Sequence, residues 1–507
     1  MITAGTGAGD TLSREGDAAA PRPARGLGIL ALVALMYLVV SGGAYGLEDA
    51  VHIAGARLTL LLCLIVPLTL SLPTALMAAE LTALMPLEGG FYYWVREALG
   101  PFAAFVEAYL TLLYTATDMA IYPVLIAAYL SFVFPLGSAT QIILGIALVW
   151  LSGALNILGV RPVGNTSIVL MGAVLAPFAA MVIIGFPRIV HWHLPAPSMN
   201  HGSLLGALGG GLTVVIWNFS GWENLSVVAG EIENPRRNYR RALAFALPLV
   251  AIGYLLPLAV SLSGATSTAE WRVGYFVEVG RRLGGPMLAL ALAVGGALSA
   301  FSIFDAAMLW VSRMPYVLAR EGYLPPRLAR VWAAHATPAT SSVTNSAAPI
   351  VASSAAPMIA PFATGQTPSG GGPPGDIDLL GGSPATSIIA CCTVFTVLVP
   401  LGFIALVVLD VFFYMGALML EMWALVRLRK SHPARAGLFV IGGGRVALIA
   451  VVVAPIVTWM ATFGLAVANN GGAFALLVSI GFALCSWPAY ALLRRRYGGP
   501  QLSSSSV

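Results

Sequence analysis

Long apolar segments, separated by short polar stretches, follow one another from residue 27 to residue 494. Most are about 18 to 26 residues long, which suits helices that cross a hydrocarbon core of about 30 Å. They lack the period-two alternation that is typical of a membrane barrel. The pattern predicts twelve membrane-spanning helices, at residues 27–53, 58–83, 97–130, 139–158, 164–186, 204–230, 241–263, 286–313, 386–404, 405–428, 446–467 and 472–493.

The first predicted span is interrupted by the stretch Ser41-Gly-Gly-Ala-Tyr-Gly-Leu-Glu-Asp49. Glycine weakens a helix by about 1 kcal/mol relative to alanine. A charged side chain near the bilayer centre costs roughly 2.5–3.5 kcal/mol on insertion scales. A segment that only had to span the membrane would carry leucine or valine here. The stretch therefore predicts a break in the helix at which the protein binds a ligand.

The sixth predicted span has a similar interruption, Trp217-Asn-Phe-Ser-Gly-Trp-Glu-Asn224. Spans one and six each begin a block of five helices, and an odd number of helices makes the two blocks enter the membrane from opposite sides. Interrupted helices at matching positions of inverted repeats are typical of the substrate site of a secondary transporter. The alternative is that these glycines serve only the close packing of helices. A carboxylate beside both interruptions favours the ligand site.

Composition and charge agree with a membrane protein. Of the 507 residues, 58% are hydrophobic and 9% are charged, whereas a soluble domain carries about 25% charged residues. We therefore expect an all-α polytopic membrane protein surrounded by a lipid bilayer. With both termini in the cytosol, 21 of the 26 Lys and Arg residues fall on the inner side, as the positive-inside rule requires. The net charge of +5 thus reflects loop arginines, and no nucleic-acid partner is expected.

The two ends and one internal stretch are predicted to lie outside the helices. Residues 1–26 are interpreted as a disordered cytosolic tail, and residues 495–507 as a second tail. Residues 335–385 are rich in Ala, Ser, Thr, Pro and Gly, which predicts a flexible cytosolic insertion. Helices one to eight then occupy residues 27–334, and helices nine to twelve residues 386–494. The four cysteines show no metal-site spacing, and we expect no metal or cofactor.

The interruptions offer groups for both ends of a zwitterion. Backbone N–H groups at residues 41–43 could bind an anion, and carbonyls freed at residues 217–220 could bind an ammonium group. Glu48 and Asp49 lie about 100° apart on a helix. One is therefore expected to face the cavity and the other an outer vestibule or a polar partner. Glu223 lies beside the second interruption, and added carboxylates shift the preference towards cations.

A polar stripe on one helix face is predicted in the third span, because its members recur every three or four residues: Thr111, Tyr114, Thr115, Asp118 and Tyr122. A carboxylate inside a membrane is a functional hypothesis by default. Asp118 is predicted to bind a substrate amine or to carry a coupling proton.

The eighth span carries a weaker polar series, Ser299, Ser302 and Asp305, which could complete an ion site against the first span. Lys430 is the only lysine of the chain, so no fixed ammonium group replaces an ion, and coupling to a proton or to sodium stays open. Aromatic side chains near the breaks could close over a cationic substrate. Two further acids, Glu80 and Glu421, lie near helix ends and are interpreted as structural.

Several stretches resemble the amino acid–polyamine–organocation superfamily of permeases. The general signature is carried by Ala79-Glu-Leu-Thr-Ala-Leu-Met-Pro86, Gly89-Gly-Phe-Tyr-Tyr-Trp-Val95 and Leu99-Gly-Pro-Phe102. The stretches at 41–49, 118–125, 217–223, 229–235 and 416–433 further resemble polyamine uptake permeases of plants and kinetoplastids and their bacterial relatives. The resemblance implies a LeuT-like fold of two inverted five-helix repeats with broken helices one and six. It also implies alternating access and proton-coupled uptake.

We therefore expect a secondary transporter of the plasma (inner) membrane that imports polyamines or cationic amino acids. Its partners would be an amine-containing solute and a coupling proton or sodium ion. A neutral amino acid permease or exchanger is the alternative, and a permease-like sensor is a second one. The motifs of common membrane enzymes do not occur. The candidate substrate-binding residues are Ser41, Gly42, Gly43, Tyr45, Glu48, Asp49, Tyr114, Asp118, Trp217, Asn218, Ser220, Trp222 and Glu223; the coupling-ion candidates are Asp118, Ser299, Ser302 and Asp305.

Overall fold

A computed structural model describes residues 27–87, 89–158, 165–190, 193–195, 203–263, 265, 267–331, 383–432, 438–468 and 470–498. The predicted tail at 1–26 lies outside these residues, as do residues 335–382 of the predicted insertion and the end of the chain from residue 499. Within the described part the chain is helical, and its isolated β-type contact is a bridge between Leu27 and Ile232.

Sixteen α-helices follow one another in the described residues. They are α1 (Ile29–Val40), α2 (Glu48–Val66), α3 (Leu72–Leu84), α4 (Phe91–Leu99), α5 (Pro101–Ser131), α6 (Ser138–Ile157), α7 (Asn165–Val190), α8 (Leu204–Asn218), α9 (Pro235–Leu262), α10 (Tyr275–Val311), α11 (Arg313–Arg320), α12 (Ala385–Leu398), α13 (Phe403–Ser431), α14 (Gly444–Ala468), α15 (Asn470–Leu484) and α16 (Ser486–Tyr497). A π-helical turn, Pro67–Ser71, joins α2 to α3, and a 3-10 helix, Asn224–Glu231, precedes α9.

Nine helical stretches of the described residues are long and apolar enough to cross a membrane, and three shorter apolar helices accompany them. The central helix is α5. Of its most apolar stretch, 78% is buried inside the protein, against 22% for α14. It packs against α10 and α13. Large apolar side chains are exposed on the outer helices, for example Ile183 and Val446. Apolar surface of this kind suits contact with lipid, so the chain is a multi-pass membrane protein.

Both predicted interruptions are present. Residues 41–47 separate α1 from α2, and Gly43 and Gly46 there adopt φ angles of 89° and 90°. Residues 219–223 separate α8 from the 3-10 helix, and Gly221 has a φ of 92°. Residues with a Cβ rarely adopt these angles, and the left-handed backbone ends the helical hydrogen-bond ladder.

Two other predicted boundaries take a different form. The gap expected at residues 54–57 is a kink at Gly55, with φ 76° and ψ 169°, after which the helix resumes. The predicted start of span eight at residue 286 follows a kink at Gly284 and Gly285, and α10 itself begins earlier, at Tyr275. Glycine absorbs each change of backbone direction without a loop.

Small residues let α2 and α8 approach closely. A Cβ placed on Gly211 would lie 2.5 Å from the Cβ of Ala54, and one placed on Gly210 would lie 2.7 Å from Ile53 Cγ2. Packing of this kind is typical of helix pairs in membranes. Helix α2, which follows the first break, therefore packs against α8, which precedes the second break.

An ion pair joins α3 to α13 away from the breaks. Arg429 donates to both carboxylate oxygens of Glu80, and the backbone N–H of Ile441 donates to Glu80 Oε2 at 2.8 Å. The structural role expected for Glu80 is confirmed by these contacts. We call this end of the helix bundle the Arg429 end, and the opposite end, near Arg272, the Arg272 end.

We expect Gly211→Ala to destabilise the protein by about 1–3 kcal/mol, because the added methyl group overlaps Ala54 in a close-packed interface. Gly253→Ala on α9 is the matched control, since its Cβ meets nothing nearer than 4.0 Å and alanine favours a helix by about 1 kcal/mol. Thermal unfolding of the purified protein in detergent measures both. Equal stability of the two variants would show that α2 and α8 are not in this close contact.

Candidate substrate site

A cavity lies between the two interruptions; its empty volume, which includes space open to solvent, is about 620 Å³. Helices α1, α5, α8, α10 and α13 contribute to its wall. Of the predicted residues, those that line it are Gly42, Tyr45, Tyr114, Asp118, Trp217, Asn218, Ser220 and Ser299. Half of the predicted set thus converges on one space.

Asp118 lies in the cavity wall and receives two hydrogen-bond donors. Trp217 Nε1 donates to its Oδ1 at 2.9 Å, and the Tyr122 hydroxyl approaches Oδ1 at 3.0 Å and Oδ2 at 2.9 Å. Three of the stripe residues, Tyr114, Asp118 and Tyr122, line the cavity together. Donors directed at a carboxylate favour its ionised form, so Asp118 can serve as a negative charge facing a bound cation.

A second carboxylate in the cavity, Asp410, was missed by the sequence reasoning. It lies on α13 with 3% of its surface exposed, its Oδ1 accepts no hydrogen bond in the described residues, and its charge interacts with that of Asp118. The available signal was its place inside the apolar span predicted at 405–428, where a carboxylate is costly. Two acids in one cavity require a counter-charge.

Other lining residues were also outside the predicted set, and those with aromatic or amide side chains are Tyr122, Tyr129, Asn224, Tyr254 and Tyr414. No Lys, Arg or His is among the described residues that line the cavity. Carboxylates with electron-rich aromatic faces, and no basic group beside them, suit an organic cation.

The Glu48 carboxylate accepts three hydrogen bonds beside the first break. Its Oε2 accepts from the Gly46 N–H at 2.7 Å, and its Oε1 accepts from the Tyr129 hydroxyl at 2.8 Å and from the Gly274 N–H at 3.2 Å. Asp49 is half-buried and its Oδ1 accepts from the Val273 N–H at 2.9 Å. Neither carboxylate lines the cavity, which corrects the expectation that one of them faces it. Asp49 instead lines a separate recess at the Arg272 end.

Two further backbone groups of the first break are also engaged. The Gly43 N–H donates to Ser41 Oγ at 3.2 Å, and Ser299 Oγ on α10 donates to the Gly42 carbonyl at 2.5 Å. Ser41 and Gly43 do not line the cavity. The N–H groups of Gly43 and Gly46 therefore already have acceptors within the chain.

Two carbonyls of the second break have partners within the protein. The Asn218 carbonyl accepts from the Tyr254 hydroxyl at 2.9 Å, and the Phe219 carbonyl accepts from Ser71 Oγ and from Trp222 Nε1, both at 2.9 Å. The expectation that the carbonyls at 217–220 are free for an ammonium group is therefore corrected for Asn218 and Phe219. Trp222 is buried behind the break and does not line the cavity.

Three predicted residues lie away from this space. Ser302 Oγ donates to the Leu298 carbonyl of its own helix at 2.7 Å. Asp305 accepts from Ser152 Oγ at 2.7 Å and from Asn156 Nδ2 at 2.5 Å, both on α6. Glu223 lies beyond the cavity towards the Arg429 end and accepts from the Tyr414 hydroxyl at 3.2 Å. Of the series predicted on α10, Ser299 therefore contacts the first break, whereas Ser302 and Asp305 form their bonds within α10 and with α6.

We expect Glu48→Gln to lower the free energy of unfolding by about 1.5–3 kcal/mol, because the amide group would present a donor to one of three existing donors. Asp49→Asn should cost less, since Asp49 is half-buried and accepts one backbone bond. Thermal unfolding in detergent compares the two variants. A larger loss in Asp49→Asn would contradict the role assigned to Glu48.

A family model described as "Amino acid permease" matches residues 27–484. Polyamine transporter PUT1 of Oryza sativa subsp. japonica is 33% identical over 318 residues, which cover 61% of this chain and 59% of that protein. A probable polyamine transporter of Arabidopsis thaliana is 29% identical over 465 residues, covering 90% of this chain and 85% of that protein.

A more distant relative, Asc-type amino acid transporter 1 of Mus musculus, is 28% identical over 289 residues, or 51% of each chain. The matches to the rice protein and to two of the Arabidopsis relatives span about three-fifths of the length of those proteins. The family model, in contrast, extends over most of the present sequence. The chain belongs to the amino acid permease family, within the amino acid–polyamine–organocation superfamily.

Proposed function

We propose that this protein is a secondary active transporter that imports polyamines or cationic amino acids by alternating access, driven by protons. The observation that carries the proposal is the pair of carboxylates, Asp118 and Asp410, in a cavity between two helix breaks. Buried charges need partners, and the described cavity wall has no basic side chain. A substrate ammonium group supplies the missing positive charge.

Among cations, a polyamine suits the cavity better than an amino acid. Two carboxylates can pair with two ammonium groups, whereas the carboxylate of an amino acid would need free donors. The break N–H groups of Gly43 and Gly46 are already bonded to Ser41 and Glu48. The names of the rice relative, a polyamine transporter, and of the Arabidopsis relative, a probable polyamine transporter, agree with this choice.

We further propose twelve spans arranged as a LeuT-like pair of inverted five-helix repeats. Support comes from the two interruptions, which lie in the first and sixth predicted spans. The distribution of 21 of 26 Lys and Arg residues supports cytosolic N- and C-termini in a plasma (inner) membrane. Alternating access then exposes the cavity in turn at the Arg272 end and the Arg429 end.

A neutral amino acid permease or exchanger is the second candidate. The similarity to Asc-type amino acid transporter 1 favours it, as does the aromatic share of the cavity wall. In that case Asp118 and Asp410 would share a proton and bind the α-amino group alone.

Uptake into proteoliposomes under an imposed pH gradient separates these candidates. Putrescine, spermidine, arginine and leucine serve as radiolabelled substrates. We expect accumulation of the two polyamines, with arginine weaker, because two ammonium groups neutralise two carboxylates. Uptake of leucine alone would refute the polyamine assignment, and binding without accumulation would indicate a sensor.

We expect Asp410→Asn and Asp118→Asn each to weaken polyamine binding roughly 10- to 100-fold, since a hydrogen bond to a charged group contributes about 1.5–3 kcal/mol. Glu278→Gln, which removes a carboxylate from the first turn of α10 outside the cavity, is the control and should bind normally. Equilibrium binding of radiolabelled putrescine measures the effect. Unchanged affinity in both aspartate variants would exclude the two-carboxylate site.

A further inference from the structure

A second group of acids lies next to the cavity, and the proposed function does not yet use it. It consists of Glu107 on α5, Glu223 after the second break, and Glu421 on α13, which we call the glutamate triad. All three are buried, with 0%, 1% and 3% of their surface exposed. The charge of Glu223 interacts with both other members, and those two interact with each other.

The triad lies between the cavity and the Arg429 end. On α13, Glu421 follows the cavity residue Tyr414 by seven residues, and on α5, Glu107 precedes the cavity residue Tyr114 by seven residues. At a rise of 1.5 Å per residue, each step is about 10 Å along the helix axis. Both helices therefore place a glutamate at a similar distance from the cavity.

The triad has few hydrogen-bond donors. Thr111 Oγ1 donates to Glu107 Oε1 at 2.7 Å, and Tyr414 donates to Glu223. In the described residues, Glu107 Oε2 and Glu421 Oε2 accept no hydrogen bond although both are buried. The ion pairs found among the described residues involve acids other than the members of the triad. Glu421 was expected to be structural, but the contacts typical of Glu80 are absent around its Oε2.

Tyrosine side chains lie around the triad in the described part of the chain. Tyr114, Tyr239 and Tyr414 lie within electrostatic range of its carboxylates, and a neutral hydroxyl cannot balance a net negative charge. Among the residues described, no group of three His, Cys, Asp or Glu has the geometry of a metal site. Three ionised carboxylates in such surroundings would repel one another without compensation. Protons are the counter-charge that fits.

We propose that Glu107, Glu223 and Glu421 form the proton-binding site of the transport cycle, with protons shared among the three carboxylates. The two buried oxygens that lack a donor are where a carboxylic O–H can form a bond within the triad. Asp118 differs because Trp217 and Tyr122 already donate to it. This assigns substrate charge to the cavity acids and the coupling proton to the triad, and it rests on the proposed function.

Tyr414 connects the two sites. It lines the cavity, its hydroxyl donates to Glu223 Oε2 at 3.2 Å, and the same hydroxyl accepts from the Gly221 N–H at 3.2 Å. Tyr114 packs against its ring at 5.5 Å and donates to Asn224 at 2.9 Å. A substrate that displaces Tyr414 or the second break therefore changes the hydrogen bonding of Glu223 and the sharing of protons in the triad.

The test uses the full-length protein in proteoliposomes, with a trapped pH dye that reports proton movement and radiolabelled putrescine that reports uptake. We expect Glu421→Gln and Glu107→Gln to reduce the protons moved per putrescine at least tenfold. Putrescine binding should stay within twofold of wild type, because a glutamine mimics the protonated, neutral acid. Glu278→Gln is the control and should keep the wild-type ratio.

Opposite results are distinguishable. A wild-type proton ratio in both triad variants would overturn the triad and leave proton-coupled uptake intact. Loss of putrescine binding with an unchanged ratio would overturn it in favour of a substrate subsite. If putrescine uptake by the wild-type protein did not depend on the imposed pH gradient, both proton coupling and the role of the triad would be refuted. Infrared difference spectra of the wild type on putrescine addition keep the proposal testable if variants misfold: a change in the protonated-carboxyl band is expected, and its absence contradicts the proposal.

Discussion

The structure depends on one constraint: backbone groups released by a broken helix inside a membrane must find hydrogen-bond partners. At the first break the partner is Glu48, which accepts from the N–H groups of Gly46 and Gly274. At the second break the partners are hydroxyl groups, because Ser71 and Tyr254 donate to freed carbonyls. Side chains of the protein itself therefore occupy several of the released groups at both breaks before any ligand arrives.

These hydrogen bonds within the protein affect which ligands the cavity can recognise. If the breaks had free N–H groups and carbonyls, the backbone could bind both ends of a zwitterion. Because several of those groups are occupied, a larger share of recognition falls to the side chains of the wall, which include Asp118 and Asp410. A buried, ionised carboxylate without a positive partner costs several kcal/mol. A carboxylate that has no basic neighbour therefore favours the binding of a cation. The proposed preference for polyamines follows from this distribution of donors and acceptors.

Sequence reasoning could predict the features that depend on local chemistry. Glycines within apolar runs indicated both breaks, because a left-handed backbone is easy only for glycine. It could not predict features that depend on distant partners. Glu48 is satisfied by Tyr129 and Gly274, which lie 81 and 226 residues away in sequence. Asp305 looked similar to Asp118 in sequence, yet α6 supplies its partners and removes it from the cavity.

Asp410 is a second example of a residue whose position depends on distant parts of the chain. It stands in an apolar run without the polar stripe that marked α5, and only the packing of α13 on α5 places it near Asp118. What distinguishes the buried acids is therefore the number of donors that tertiary structure directs at each. Glu48 has three, Asp118 has two, and Glu421 Oε2 has none.

Donors lower the free energy of the ionised form, and a buried acid with neither donors nor a cation beside it is more stable when protonated. The same residue type can thus close a helix break, face a cation or hold a proton within one bundle. Tyr414 is the side chain that lies between the last two environments, since it borders the cavity and donates to Glu223. Because one side chain borders both, the proposed binding of a cation in the cavity and the proposed protonation of the triad are linked through Tyr414, and a link of this kind is the physical requirement for coupling a solute to a proton.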